Sequence, residues 1–368
     1  MSSQAGMIAQ LIVAVVLATG VLLALVAWSK WRRDRAERAS ALFRAQVAQA
    51  WMTSEAEALL AVYSAAATGR MQAQADLLAV VRGLEREQED VDARQQEAWR
   101  IFRDSPLQAT LVRQARDRST VRRGLTAALG GLRSTRLPVS ALAELLNDSD
   151  PTVRLTAASA LEAHGTPDAA TALIAALIDD RLEPPRAAER LGHPWAVDTI
   201  LACIEDVPPS TQQALADALG LACDPRALPL LIDLAESTQH DEVALHASRA
   251  MIGCAPRAAA GDVPRLRGYA RVGLEDRRPV VRASAAAILG AMGRAEDVAV
   301  LTAHMGDPDW FVRRQAADAL IAAGPIGAQA LLEVAQGTDT YAAARARQAL
   351  ATAGVDATQD AGGDPWAR

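Results

Sequence analysis

Aromatic side chains are scarce in this chain: seven Trp, three Tyr and three Phe make up 4% of 368 residues, although 51% of the residues are hydrophobic. Ala, Leu and Val carry the apolar mass, which is a helix-forming alphabet. The shortage of β-branched and aromatic runs excludes an all-β sandwich or barrel. Cysteine is nearly absent too. Cys203, Cys223 and Cys254 are odd in number and have no paired spacing, which predicts reduced, buried thiols and argues against a disulfide framework or a zinc site. Positive charge is not in excess, with 38 Lys and Arg against 44 Asp and Glu for a net charge of −6. That balance argues against a nucleic-acid binder relying on phosphate contacts.

Catalytic signatures are missing as well. The chain has no Gly-rich phosphate loop, no HExxH, no CxxC and no Gly-x-Ser-x-Gly elbow. Of five scattered histidines only His240 and His246 are near each other. Asp241 and Glu242 could complete a metal site with them, but a solvated loop between helices is the plainer reading. The expectation is a protein that is not an enzyme and carries no cofactor.

One apolar run stands out. Residues 7–28 hold no Asp, Glu, Lys or Arg, and as a helix they would reach about 33 Å, enough to cross a bilayer. The uncharged start and the poor cleavage site after the run favour an uncleaved anchor over a signal peptide. Lys30, Arg32, Arg33, Arg35 and Arg38 follow at once, and Trp28 and Trp31 sit at the boundary. This flank predicts a single-pass inner-membrane protein with its carboxyl-terminal part cytoplasmic; the opposite insertion would give a periplasm-facing scaffold. The basic cluster either sets topology alone or also touches anionic lipid.

Residues 29–104 contain no proline and carry apolar residues every three or four positions, which predicts amphipathic helices with a turn at Thr68 and Gly69 and a second helix from about Met71 to Phe102. Two arrangements stay open for them: a self-associating stalk or hairpin, and a cap on the amino-terminal end of residues 105–354.

The rest of the chain repeats. Asp148-Ser-Asp-Pro-Thr-Val-Arg154, Asp276-Arg-Arg-Pro-Val-Val-Arg282 and Asp307-Pro-Asp-Trp-Phe-Val-Arg313 superpose, and in each an Ala-rich helix ends eleven residues after the Arg, at Gly165, Gly293 and Gly324. A fourth copy is aligned on Arg122, and weaker copies run to Gly192, Gly220, Gly253 and Gly354. A second helix lies between the copies, at 169–178, 227–236, 298–305 and 328–335. The unit is a helical pair of about thirty residues that cannot bury a core alone and draws stability from its neighbours. Asp at the helix starts can accept unpaired backbone N–H groups, Pro151, Pro279 and Pro308 fit a helix entry or the turn before it, and small flank residues such as Ala158, Ser159, Ala286 and Ala287 allow close approach. Arg154, Arg282 and Arg313 are expected to form a structural ladder to an Asp of the adjacent repeat. Arg123 and Arg314 point outward and, with Trp310 and Trp195, are the candidate partner-binding residues; Arg314 could equally pair with Asp318 one turn on.

These runs resemble the HEAT repeat family, in particular its short bacterial form related to the repeats of phycobilisome lyases. Asp307-Pro-Asp-Trp-Phe-Val-Arg-Arg-Gln-Ala-Ala-Asp-Ala-Leu320 carries the likeness most fully. The resemblance implies an α-solenoid over residues 105–354 that presents a surface to proteins. The expectation is therefore an all-α chain: a transmembrane helix at 7–28, a helical juxtamembrane region at 29–104, the solenoid, and a disordered tail at 355–368. Its expected role is a membrane-anchored cytoplasmic scaffold that binds membrane-associated proteins, with self-association open and no nucleic acid. By analogy alone it would serve exopolysaccharide or glycosyltransferase machinery. A lyase-related modifier of a protein substrate is the alternative.

Overall fold

A computed structural model of the chain describes residues 22–68, 70–86 and 93–355, and extends helix assignment to 2–21, 87 and 92. Among the described residues every regular element is helical. The chain divides into two compact units, residues 1–145 and 146–368.

The first unit contains α1 (Ser2–Thr53), α2 (Ala56–Ala67), α3 (Met71–Glu87), α4 (Asp92–Arg103), α5 (Pro106–Gln114) and α6 (Thr120–Gly130), and α7 (Val139–Leu146) spans its end. Ser54 takes a left-handed backbone, φ 55°, and breaks the chain between α1 and α2. The single helix expected over 71–102 is instead two, α3 and α4; residues 88–91 lie outside the described set. Buried Trp51 of α1, Val62 and Tyr63 of α2, Leu77 and Val81 of α3, Phe102 of α4, and Leu107 and Leu111 of α5 form one apolar interior. Tyr63 is at its centre. Its ring meets Phe102 edge-on with centroids 5.7 Å apart and its hydroxyl donates to the Ala98 carbonyl at 3.4 Å, which satisfies the polar tip of a buried amphipathic ring. Glu85 at the end of α3 accepts the backbone N–H and the hydroxyl of Ser134 at 3.1 and 2.9 Å, tying α3 to the loop after α6.

The expected membrane placement does not hold. Among the described residues no helix is long and apolar enough to cross a membrane. The described part of the apolar run is only Leu22 to Trp28, about 10 Å of helix against a hydrocarbon core of about 30 Å. The helix continues unbroken through the charges at 30–38 and buries Val47, Ala50 and Trp51 near its end. The single-pass inner-membrane assignment and the bilayer as a partner are therefore withdrawn. Residues 7–21 of the expected anchor, and residues 356–368 of the expected tail, lie outside the described residues.

In the second unit the helices come in pairs: α8 (Pro151–His164) and α9 (Pro167–Ile178), α10 (Pro184–Leu191) and α11 (Pro194–Leu201), α12 (Pro209–Ala222) and α13 (Leu228–Ser237), α14 (Asp241–Cys254) and α15 (Val263–Gly273), α16 (Pro279–Met292) and α17 (Val298–Ala303), α18 (Trp310–Ala322) and α19 (Pro325–Ala335), then α20 (Thr340–Thr352). The local grammar is consistent from pair to pair. Pro151 and Pro279 occupy the first helical turn, where the missing N–H costs nothing. Asp150 accepts the Thr152 N–H at 2.7 Å, and Asp309 accepts the Phe311 N–H at 2.8 Å. Gly165 and Gly293 end α8 and α16 in the left-handed conformation that an L side chain resists.

Two layers result. The even-numbered helices from α10 to α20 pack each on the next, and the second helices of each pair form the other layer. Gly220 and Gly253, expected as helix ends, lie inside α12 and α14. A Cβ on Gly220 would sit 2.8 Å from the Ala250 Cα, so the two backbones nearly touch. Gly290 of α16 faces Ala319 of α18 in the same way, its hypothetical Cβ 2.6 Å from the Ala319 Cβ. On α15, in the other layer, Gly268 has open space around it.

Candidate functional site

Each strong repeat opens with the same small lock. The Asp carboxylate accepts the backbone N–H two residues on, in the pairs Asp117 and Ser119, Asp148 and Asp150, Asp276 and Arg278, and Asp307 and Asp309, every time at 2.8 Å. The carbonyl of that Asp accepts Nη1 of the Arg six residues on, with Arg123, Arg154, Arg282 and Arg313 donating at 2.9, 2.9, 2.8 and 2.7 Å. The guanidinium thus holds the loop against the helix it begins. This geometry moves the register of the fourth copy from Arg122 to Arg123. Arg123, expected to face a partner, is the repeat arginine of that copy; Arg122 pairs with the Asp117 carboxylate at 3.1 Å.

What the arginine does with its free edge differs from repeat to repeat. Arg282 makes a two-pronged bond to the Asp307 carboxylate of the next repeat, Nε to Oδ2 at 2.7 Å and Nη2 to Oδ1 at 2.9 Å, with both side chains largely buried. Burial alone would push the Asp307 carboxyl up, but the Arg282 bonds and the Asp309 N–H outweigh it and hold the carboxyl below the ordinary carboxylate range. Arg154 reaches the Arg181 carbonyl at 3.0 Å, not an Asp. Arg313 has its guanidinium 5.6 Å from the centre of the Tyr341 ring, in cation–π range. The expected arginine-to-aspartate ladder is therefore found at Arg282, with a different acceptor at the other two positions.

The Arg313 joint is the open one. Between α18 and α20 lies a groove of about 890 Å³ whose lining includes Trp310, Arg313, Arg314, Tyr341 and Arg345. Trp310 is 63% and Tyr341 74% exposed, values at which large aromatic rings forgo most of the burial that would stabilise the fold. Among the described residues Asp318 is the only carboxylate in the lining. It accepts from Arg345 at 2.8 Å and lies 3.7 Å from the Arg314 Nε, leaving three guanidinium groups against one acid. The Thr352 hydroxyl donates to the Gln348 carbonyl.

The structure thus brings Trp310, Arg313 and Arg314 together, and adds Tyr341 and Arg345, which sequence reasoning passed over. One signal for Tyr341 was available: it stands two residues after Asp339, as Phe311 stands two after Asp309, at the head of the weak last copy. Trp195 has a different setting, half-buried, stacked on His193 at 6.2 Å and lying against the turn at Gly165. His246 bonds Asp217 of α12 at 2.8 Å, whereas His240 immediately precedes α14. Among the described residues no group of three or more His, Cys, Asp or Glu side chains is placed to hold a metal ion. The three thiols are free; Cys254 is buried, which pushes its pKa up to about 12, while Cys203 and Cys223 are half-buried.

No curated protein matches the chain. Among solved structures it is similar to an engineered protein, at 18% identity over 83% of this chain and 98% of the other with a TM-score of 0.36. It is also similar to the karyopherin Kap121p bound to the SUMO protease Ulp1p, at 13% identity and TM-score 0.45, and to Kap121p bound to Pho4p, at 14% and 0.45. Each of these two alignments covers 84% of this chain but only 41% of the karyopherin. The HEAT repeat family model matches residues 107–191, 186–252 and 271–351, more than half the sequence; with these segments carrying the paired helices described above, the chain belongs to the HEAT repeat family.

Proposed function

We propose that the chain is a non-catalytic scaffold that binds a protein partner, and that the groove between α18 and α20 is its principal binding surface. The observation that carries this reading is the pair of exposed rings, Trp310 and Tyr341, flanking a row of arginines. Trp, Tyr and Arg are the residues that dominate binding energy at protein interfaces, and no other repeat joint in the described set combines them in this way. The same lining argues against a modifying enzyme. A nucleophile or general base needs a free acid, imidazole or activated hydroxyl, whereas Asp318 is held by Arg345 and the Thr352 hydroxyl by its own helix.

The test is affinity purification of the full chain from cells that naturally make it, in parallel with Trp310→Ala/Tyr341→Ala and with a control altered at exposed Val272 on α15, compared by quantitative mass spectrometry. The expected result is a co-purifying protein whose recovery falls at least tenfold in the groove variant and is unchanged in the control. Equal recovery from all three would overturn the assignment of the groove.

A further inference from the structure

We infer that the groove is occupied, when no partner is present, by the chain's own residues 356–368, and that a partner must displace them. This rests on the groove being the binding surface. Three observations converge on it. The first is position. Thr352 and Ala353 line the groove, and Val355, the last described residue, is buried with its N–H bonded to the Leu350 carbonyl at 2.9 Å, so the described chain ends beside the groove. The second is reach. Tyr341 lies about 20 Å back along α20 at 1.5 Å per residue, and the eleven residues from Val355 to Trp366 span up to about 36 Å when extended.

The third is chemistry. Residues 356–368 carry Asp356, Asp360 and Asp364 against Arg368, and hold a tryptophan at 366. The groove offers Arg313, Arg314 and Arg345 against the one carboxylate of Asp318, with Trp310 and Tyr341 at its far end. Acidic residues would meet guanidinium groups along the path, and Trp366 would arrive where two aromatic rings are exposed. Tethering makes such an encounter intramolecular, so even a weak contact is populated at the high effective concentration of a short linker. The partner segment that competes should then share this character, acidic with an aromatic anchor.

The experiment places the photo-cross-linking residue p-benzoylphenylalanine at position 366 of the full chain, with circular dichroism checking that the helical content is unchanged. Irradiation at low micromolar concentration, followed by digestion and mass spectrometry, should give an intramolecular cross-link confined to peptides of α18 and α20. Asp364→Arg, and separately Arg314→Glu, should each reduce it at least fivefold. Cross-links scattered over the chain would overturn the inference. So would links that form only between isotopically light and heavy copies, which would make a second copy the occupant. Failure here and failure of the scaffold reading remain distinct. If no tail-to-groove link forms yet Trp310→Ala/Tyr341→Ala still loses its co-purifying protein, the tail inference alone falls; if the link forms and recovery ignores the groove, the scaffold assignment falls.

Discussion

Arg282 and Arg313 occupy the same position of successive repeats and make the same bond to the carbonyl six residues back, yet one is buried in the joint between α16 and α18 and the other lies along an open groove. The difference is made by the next repeat along the chain. Asp307, the acceptor for Arg282, stands two residues before the helix-capping Asp309. In the last repeat the capping residue is Asp339, and the position two residues before it is Gly337. Arg313 finds no carboxylate there and lies against Tyr341 instead. A repeat protein can therefore turn a structural arginine into a surface arginine without changing it, by deleting its acceptor one repeat away. The α16–α18 joint is closed by charge and close packing, and the α18–α20 joint is left open, which is where the exposed aromatics are found.

Breaking the interior should have the largest effect. Asp297, at the start of the α17 segment, is fully buried and accepts from Arg267 at 2.8 Å and from Arg271 at 2.8 Å. Asp297→Ala would take the buried acceptor from Arg267, leaving it Glu296, and from half-exposed Arg271, at a cost of about 3 kcal/mol. Urea unfolding followed by circular dichroism should show it, and hydrogen exchange should place the loss around α15 and α17. An unchanged midpoint would mean that the interior joint is not held by this pair.

Next in size is the comparison itself. Arg282→Met should cost about 1.5–3 kcal/mol, the range for hydrogen bonds to charged groups, because it leaves the carboxylate of Asp307 unpaired and nearly buried. Arg313→Met leaves no carboxylate behind and should cost under about 1 kcal/mol. Equal losses in the two variants would show that the shared bond to the loop carbonyl, not the next repeat, sets the contribution. The two layers differ in the same spirit. Gly290→Ala would force α16 and α18 apart and cost about 1–3 kcal/mol, whereas Gly268→Ala, on open α15, should gain about 0.5–1 kcal/mol of helix stability. Thermal unfolding of the pair should therefore move in opposite directions.

Much of this was legible in the sequence. The capping Asp150 and Asp309, Pro151 and Pro279 in the first helical turn, and Gly165 and Gly293 just past the helix ends each follow from a local rule and are found, whereas Pro308 precedes the cap of α18 and Gly324 caps the start of α19. Three things were not legible, for separate reasons. Arg122 and Arg123 are adjacent, so a motif that ends in Arg cannot choose between them; the six-residue spacing from Asp117 does. The burial of Asp297 depends on Arg267 and Arg271, which come from α15, a helix outside the second-helix segments read from the sequence, and nothing local marks the three as neighbours. Tyr341 lies in a weak copy that has Ala343 where the repeat arginine would stand, so nothing in the motif marked it as part of a surface with Arg313. The long apolar run misled in the other direction. Composition over residues 7–28 suggested a span, but among the described residues the helix is not apolar for long enough.

The comparison can also be inverted. Gly337→Asp restores the missing acceptor, and the turn there is not left-handed, so a side chain is admissible, with the Val334 carbonyl 3.1 Å from the new Cβ as its tightest neighbour. Arg313 should leave Tyr341 for the new carboxylate, adding about 0.5–1 kcal/mol and weakening capture of the co-purifying protein. A variant that is more stable and binds less would show that the groove stays open because this one acceptor is absent.

The smallest effect on stability is expected at Arg314, and that is its use. Its side chain is about half exposed and its Nε lies 3.7 Å from Asp318, one turn on. Pairs of this kind contribute about 0.5 kcal/mol or less, and Asp318 keeps its bond to Arg345 when Arg314 is removed. Arg314→Ala should therefore leave the unfolding transition in place while lowering recovery of the partner, because a guanidinium beside exposed Trp310 is lost from the surface and not from the joint. A drop in thermal midpoint of several degrees would move Arg314 into the same structural class as Arg282. An unchanged midpoint with unchanged recovery would confine the binding energy to the two rings.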